Sequence, residues 1–236
     1  MDPISFPVSL TRRERTLGAG YYLAQVTVLP LLLAALLPQL FPQISTMQVN
    51  LCFYCINFAC ILWIFRGFLA AHLRFPGARG LRLVWISMLA LAGYEAISSL
   101  LTPLLYRLDP SFYNVNDAAV AEMVRSSPAA MAIATVLLVP PAEELIFRGL
   151  IFGCAAEKSG ALGYALSCAL FALVHILGYV GAYSPAQLAC CFVQYLPAGI
   201  ALAWAYHFSG SIFSPIAIHA LINAMSLAGV LWGISF

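Results

Sequence analysis

The residues best suited to chemistry lie in the stretch 140–149, which has the sequence PPAEELIFRG. On a helix, Glu144 and Arg148 are one turn apart and face each other, so they can form an ion pair. Glu143 is rotated by about 100° from Glu144 and lacks that partner. An ion pair at a helix end would explain Glu144 and Arg148 but not Glu143. A general base needs a carboxylate that no neighbour neutralises, and Glu143 is predicted to be that acid.

Two histidines and an asparagine lie in other apolar stretches. His175 follows Phe171 by one helical turn, and His219 and Asn223 share one face of the last helix. Each polar residue alone could be satisfied inside a helix bundle. Three such positions beside an acidic pair favour a functional site, because imidazole can act as a base, a donor or a metal ligand near neutral pH.

The composition predicts that these residues lie in a membrane. The chain has 236 residues, of which 63% are hydrophobic and 8% charged, and its mean hydropathy is +0.93. Soluble proteins carry about 25% charged residues, so a soluble enzyme, a disordered chain and a nucleic-acid binder are excluded as first interpretations. A charge near the bilayer centre costs at least about 2.5–3.5 kcal/mol, so Glu95 and the acids of 140–149 should pair, face water or serve a function.

We expect an all-α, polytopic transmembrane helix bundle of about seven to eight spans, with residues 1–236 in a single membrane domain. A bilayer core takes about 20 apolar residues per helix. The spans are predicted near 18–37, 47–65, 83–105, 128–153, 160–180, 186–207 and 211–233. Residues 107–127, which contain several Asp and Asn, are predicted to form a polar loop, and Pro76, Gly77 and Gly80 mark another.

The basic residues predict the orientation of the chain. If the spans alternate, one side receives Arg12, Arg13, Arg15, Arg66, Arg74, Arg79, Arg82 and Lys158. The other side receives only Arg107 and Arg125. The positive-inside rule then predicts a cytoplasmic N-terminus. We expect a multi-pass protein of a prokaryotic plasma membrane, in contact with membrane lipid and without a nucleic-acid partner.

Three motifs in this chain resemble those of the CPBP intramembrane proteases. The motifs are Glu143-Glu144-x-x-x-Arg148, Phe171-x-x-x-His175 and His219-x-x-x-Asn223. That family includes the type II CAAX prenyl endopeptidases and bacterial Abi proteins linked to bacteriocin immunity. The resemblance covers residues 128–226, which would form the motif-bearing catalytic core.

The resemblance implies an all-α membrane fold with a polar catalytic cavity open to the cytosol. It also implies hydrolysis of a peptide bond near the cytoplasmic membrane face, in a peptide or lipidated protein of the CAAX or bacteriocin type. Glu143 would be the general base, aided by His175, and Glu144 and Arg148 would orient the site. His219 and Asn223 would stabilise the oxyanion.

Several alternatives stay open at this point. Glu143, His175 and His219 are also ligand types of catalytic zinc sites, although the absence of an H-E-x-x-H motif favours a mechanism without metal or other cofactor. A proton-coupled transporter could use Glu95, Glu143 and His175 as a relay, although no internal repeat is evident. A non-catalytic membrane scaffold could keep the same geometry. Glu95 itself is either a structural hydrogen-bond partner or part of the substrate path.

Overall fold

The computed structural model describes residues 1–74 and 80–233, and it consists of α-helices joined by short connections. The helices are α1 (Arg12–Val26), α2 (Val28–Leu40), α3 (Thr46–Ile64), α4 (Arg66–Arg74), α5 (Leu81–Leu108), α6 (Val115–Ser126), α7 (Pro128–Ala156), α8 (Gly160–Leu177), α9 (Pro185–Ser209) and α10 (Phe213–Trp232). The predicted turn at Pro76 and Gly77 lies outside the described residues.

Within the described ranges, six helices are long and apolar enough to cross a membrane, and α1 with α2 would add a seventh span. The six predicted spans from residue 47 onward coincide with α3, α5, α7, α8, α9 and α10 to within three residues at either end. Large apolar side chains such as Leu31, Leu100 and Trp232 are 72%, 77% and 74% exposed, as expected for a surface that faces lipid. The predicted all-α polytopic bundle is confirmed.

The first predicted span, 18–37, is not one straight helix. α1 ends at Val26, α2 begins at Val28, and the two axes differ by 52°. Pro30 has no backbone N–H to give to the carbonyl of Val26, and its ring crowds that carbonyl. This proline accounts for the break in the helix. The apolar run that contains it predicted a continuous span instead.

Residues 107–127, predicted to be a loop, contain the helix α6. The side-chain oxygen of Asn114 accepts from the backbone N–H groups of Asn116 and Asp117 at 3.0 and 3.2 Å. Val115 and Val124 are buried against the bundle. The loop prediction was wrong because Asn and Asp, taken as loop formers, act here as the cap and first turn of a helix.

Helices α7 to α10 form the centre of the bundle. α8 packs along α9, α9 also packs against α5, and α10 contacts α5, α6 and α7. The side chains of Leu145, Ile146, Phe147 and Phe152 in α7 are at most 1% exposed. This packing holds together the three helices that carry the sequence motifs.

α7 contains two π-helical stretches, Ile133–Leu138 and Leu145–Phe152. Pro140 and Pro141 lie between them and have no backbone N–H. The N–H of Val139 bonds to the carbonyl of Ala134, five residues back, as in a π turn. The prediction that the two prolines loosen the backbone of this span is therefore confirmed, and such turns are frequent at functional sites.

The N-terminal segment lies at the same end of the bundle as the connection between α7 and α8. Arg15 of α1 forms an ion pair with Glu157, just after α7. Glu14 accepts a hydrogen bond at 2.8 Å from the backbone N–H of Phe68, in the first turn of α4. We call this end of the molecule the basic end, because it collects the segments 12–15, 66–74 and 157–158.

Candidate active site

The three sequence motifs meet at the centre of the bundle. α7 contributes Glu143, Glu144 and Arg148, α8 contributes His175, and α10 contributes His219 and Asn223. His219 links the motifs of α7 and α10, because its Nδ1 lies 2.8 Å from Oε1 of Glu144 and its Nε2 lies 4.0 Å from Oε2 of Glu143.

Glu144 and Arg148 form a fully buried ion pair. Nη1 of Arg148 lies 3.1 Å from Oε1 of Glu144, and both side chains are 0% exposed. Nη2 of Arg148 donates to the carbonyl of Gly199 in α9 at 3.0 Å. The guanidinium also lies over the ring of Phe171 in α8, 4.6 Å from its centroid. The predicted pair is present, and it joins α7 to α8 and α9.

The hydrogen bond to Glu144 fixes the proton of His219. Because Glu144 is paired with Arg148, its carboxylate accepts, and Nδ1 of His219 must carry the donated proton. Nε2 is then the ring nitrogen turned toward Glu143. A carboxylate behind a histidine fixes the tautomer and the orientation of the ring in this way.

Glu143 is the acid without a cationic side-chain partner. It forms no ion pair with Lys or Arg among the described residues, and its side chain is 26% exposed. Its Oε2 atom is buried and has no hydrogen-bond partner in that same part of the chain. Tyr22 of α1 and Tyr54 of α3 are close enough to interact electrostatically with this carboxylate.

His175 is held by its own helix and by an aromatic ring. Its Nδ1 lies 2.7 Å from the carbonyl oxygen of Phe171. A carbonyl only accepts, so Nδ1 carries the proton and Nε2 of the neutral ring has a free lone pair. The imidazole stacks on Tyr195 of α9 with centroids 4.2 Å apart. Phe171 also contacts the ring of His219, with centroids 5.8 Å apart.

Asn223 bonds to a carbonyl in the first π-helical stretch of α7. Its Nδ2 donates to the carbonyl of Thr135 at 2.8 Å. In a π turn that carbonyl would accept from residue 140, but Pro140 has no N–H, and the N–H of Val139 already bonds to Ala134. Asn223 therefore satisfies a carbonyl that the proline leaves unpaired. The second N–H of its amide remains for another acceptor.

A cavity of about 460 Å³ lies among α5, α6, α8, α9 and α10. Its charged and amide-bearing lining residues are Glu95, Asn114, Asp117, His175, Gln194, His219 and Asn223. Glu95, whose role the sequence left open, thus lies in the cavity wall. Glu143 is not among the described residues that line this cavity. His219 does line it, and its Nε2 lies 4.0 Å from Oε2 of Glu143.

Two further residues of this wall were not predicted from the sequence. The hydroxyl of Tyr195 donates to Oδ1 of Asp117 at 2.6 Å. Desolvation by the surrounding protein raises the pKa of the Asp117 carboxyl. The hydrogen bond from Tyr195 and the nearby His175 partly offset that rise. Asp117 fell in the region predicted to be a loop, and Tyr195 belongs to no motif. Neither position gave a signal in the sequence.

The residues of the alternative zinc site do not fit a metal ion. Across residues 1–74 and 80–233, no group of three or more His, Cys, Asp and Glu side chains could hold one. Phe171 contacts the rings of both His175 and His219.

The cavity lies in the half of the bundle away from the basic end. It is lined by the second halves of α5 and α8, the start of α6 and the middle of α9 and α10, whereas Arg15 and Glu157 mark the opposite end. A cytoplasmic N-terminus and a cavity open to the cytosol were both expected from the sequence. Both stay predictions, and the position of the cavity relative to the basic end makes their combination a question for experiment.

Comparison with known proteins agrees with the geometry of the site. Residues 125–225 match the family described as type II CAAX prenyl endopeptidase Rce1-like. No curated protein and no solved structure gives a significant match to the chain. The matched segment contains the three motifs on α7, α8 and α10, and the members of the matched family are intramembrane proteases. The segment that carries the three motifs is therefore similar to the type II CAAX prenyl endopeptidases, a group of intramembrane proteases.

Proposed function

We propose that this enzyme is an intramembrane endopeptidase in which Glu143 activates the water that attacks the peptide bond. The observation that carries the proposal is the buried, unpartnered Oε2 of Glu143, 4.0 Å from Nε2 of His219. That separation is too long for a direct hydrogen bond, but a water between the two atoms would be within reach of both. Glu144 and Arg148 already neutralise each other, so Glu143 is the acid left to accept a proton.

In the first step, Glu143 takes a proton from water as the water oxygen bonds to the carbonyl carbon of the substrate. The carbonyl oxygen becomes an oxyanion. In the second step, the carbon–nitrogen bond breaks, and Glu143 returns the proton to the leaving amine nitrogen. A positioned general base contributes about 10²–10⁴-fold in rate.

We assign His219 and Asn223 to the oxyanion. Nδ1 of His219 donates a hydrogen bond to Glu144 and keeps its proton, so Nε2 can donate only when the ring carries two protons. Its positive charge is then offset by Glu143, while Glu144 and Arg148 offset each other. Asn223 offers the N–H that is not bonded to Thr135. Donors placed where the oxyanion forms are among the largest contributions to catalysis.

His175 assists by accepting a proton. Nδ1 is committed to the carbonyl of Phe171, which leaves the lone pair of Nε2 to take the second proton of the attacking water as the carboxylate product forms. His175 then passes this proton to the amine product, which departs as an ammonium ion. The substrate we propose is a peptide or lipidated protein of the CAAX or bacteriocin type, whose chain enters the 460 Å³ cavity. We further propose that the reaction needs no cofactor and takes place in a prokaryotic plasma membrane.

The test is cleavage by the purified, liposome-reconstituted protein of two probes, a farnesylated CAAX peptide and an unprenylated apolar peptide. Glu143→Gln should lower the rate by about 10²–10⁴-fold, because the amide cannot accept the proton. Glu122→Gln is the matched control, since its carboxylate is 82% exposed on α6.

Cleavage by folded Glu143→Gln at the wild-type rate would contradict the assignment of the base. If neither probe is cleaved by the wild-type protein, membrane peptides from cells that express wild type and Glu143→Gln are compared by mass spectrometry. Peptides that depend on Glu143 then identify the substrate. A transporter would instead alter uptake and yield no peptide product.

A further inference from the structure

We propose that Tyr195 and Asp117 are positioning residues that hold the imidazole of His175 in its working orientation. The proposal rests on the proposed function of His175 as a proton acceptor. It concerns two residues outside the three motifs, one on α9 and one on α6.

The ring of His175 is fixed by stacking as well as by its hydrogen bond. Nδ1 bonds to the carbonyl of Phe171 at 2.7 Å. The ring of Tyr195 stacks on the imidazole at 4.2 Å between centroids, with 27° between the planes. Phe171 contacts it from another direction, at 4.6 Å and 54°. Together these contacts restrict both side-chain torsions of His175, and they determine where the lone pair of Nε2 points.

Tyr195 is held in turn by the first residues of α6. Its hydroxyl donates to Oδ1 of Asp117 at 2.6 Å and accepts from Nδ2 of Asn116 at 3.0 Å. Nδ2 of Asn114, the cap of α6, donates to Oε1 of Gln194 at 3.0 Å, beside Tyr195 on α9. The start of α6 thus anchors both the hydroxyl of the tyrosine and the helix that carries it.

The chemistry of these contacts suits a histidine that gains a proton during the reaction. A hydrogen bond to a carboxylate makes the phenol ring more electron-rich, and an electron-rich face attracts a cation. Asp117 also interacts electrostatically with His175. An apolar side chain at either position would fill the space but would not stabilise the imidazolium.

The test measures kcat and KM for the peptide that the reconstituted enzyme cleaves. Tyr195→Leu removes the stacking ring, and we expect kcat to fall by about 10–10²-fold with little change in KM, because misplacement of a catalytic group acts on the chemical step. Tyr195→Phe keeps the ring but loses the hydrogen bond to Asp117, so kcat should fall less than in Tyr195→Leu. Asp117→Asn keeps an oxygen that accepts from Tyr195 and should retain more activity than Asp117→Leu.

The matched control is Tyr179→Phe. The hydroxyl of Tyr179 donates to Oδ1 of Asn116 at 3.4 Å, so this variant removes a hydroxyl from the same network without touching His175. Its kcat should remain close to that of the wild-type enzyme.

A second measurement does not depend on activity. Diethyl pyrocarbonate acylates accessible neutral imidazoles, and the rate at His175 can be followed by peptide mass spectrometry with His219 as the internal reference. We expect faster acylation of His175 in Tyr195→Leu, because the stacked ring no longer covers it. An unchanged acylation ratio in folded Tyr195→Leu and Tyr195→Phe would overturn the proposal.

The two measurements separate this proposal from the proposed function. If Glu143→Gln loses activity while both Tyr195 variants keep the wild-type kcat, the positioning role is wrong and the protease mechanism stands. If Glu143→Gln stays active, the mechanism fails, and the acylation ratio still decides whether Tyr195 holds His175.

Discussion

The two adjacent acids of α7 have different surroundings. Glu144 is fully buried between Arg148 and His219, whereas Glu143 is partly exposed and forms no ion pair with Arg or Lys among the described residues. This division was predictable, because neighbouring residues on a helix differ by about 100° in direction. The contact between His219 and Glu144 was not predictable, because the two residues are distant in sequence.

Arg148→Ala should lower both stability and activity. Removal of one partner of a buried ion pair leaves an uncompensated charge and costs about 3–5 kcal/mol. The measurements are the thermal unfolding temperature in detergent and the cleavage rate. Arg125→Ala is the control, because the side chain of Arg125 is 64% exposed on α6. An unfolding temperature equal to that of wild type, with a loss of activity alone, would show that Arg148 acts on the substrate instead.

Asn223→Ala tests two roles of one side chain. Loss of an oxyanion donor should lower kcat by about 10²–10³-fold with little change in KM. Loss of the hydrogen bond to the carbonyl of Thr135 should also lower the free energy of unfolding, by about 1–3 kcal/mol. Kinetics and denaturant unfolding measure the two effects separately. A loss of stability without a change in kcat would leave Asn223 with a structural role only.

Removal of metal should leave the enzyme active. The expectation follows from the positions of Glu143, His175 and His219, which do not form a common metal site. The measurement is the cleavage rate after dialysis against a chelator, with metal analysis of the same sample. Zinc present in a 1:1 ratio, together with loss of activity on chelation and recovery on addition of zinc, would contradict it.

At the scale of helices, the predictable elements are those that the bilayer itself dictates. A span needs about 20 apolar residues, and six runs of that kind became helices close to their predicted bounds. The bend between α1 and α2 was missed because Pro30 lies within an apolar run. The π-helical stretches of α7 were predicted only as a looser backbone around Pro140 and Pro141.

α6 shows why part of the site could not be predicted. A single sequence gives the capping propensity of Asn114. It does not show that Tyr195, 78 residues from Asp117, donates a hydrogen bond to that carboxyl group. Hydrophobic periodicity describes which face of a helix is buried. It does not describe which polar side chains from different helices meet in the interior.

At the scale of the whole molecule, the basic end and the cavity lie on opposite sides of the bundle. The positive-inside rule places the end with the segments 12–15, 66–74 and 157–158 in the cytoplasm. With that orientation, we expect the half of the bundle that contains the cavity to lie toward the other side of the membrane and a substrate to enter from there. This differs from the cytosolic cavity that the resemblance to the family implies.

Labelling with a membrane-impermeant maleimide measures this orientation in intact spheroplasts. Cys55, the exposed native cysteine, is first replaced by serine. Ser111→Cys, between α5 and α6, should be labelled, and Lys158→Cys, just after α7, should be labelled only after lysis. The reverse pattern would place the N-terminus outside and the cavity in the cytosol.

The π-helical stretch Ile133–Leu138 has a consequence for how relatives of this enzyme are compared. A π turn holds one residue more than the α turn it replaces. Deletion of one residue there would replace the π turn with an α turn that covers about the same rotation, so Glu143 would still face His219. An alignment gap inside a membrane helix is usually shifted into the nearest loop. Here such a gap marks a relative that lacks the π turn but whose acidic pair still faces its histidine.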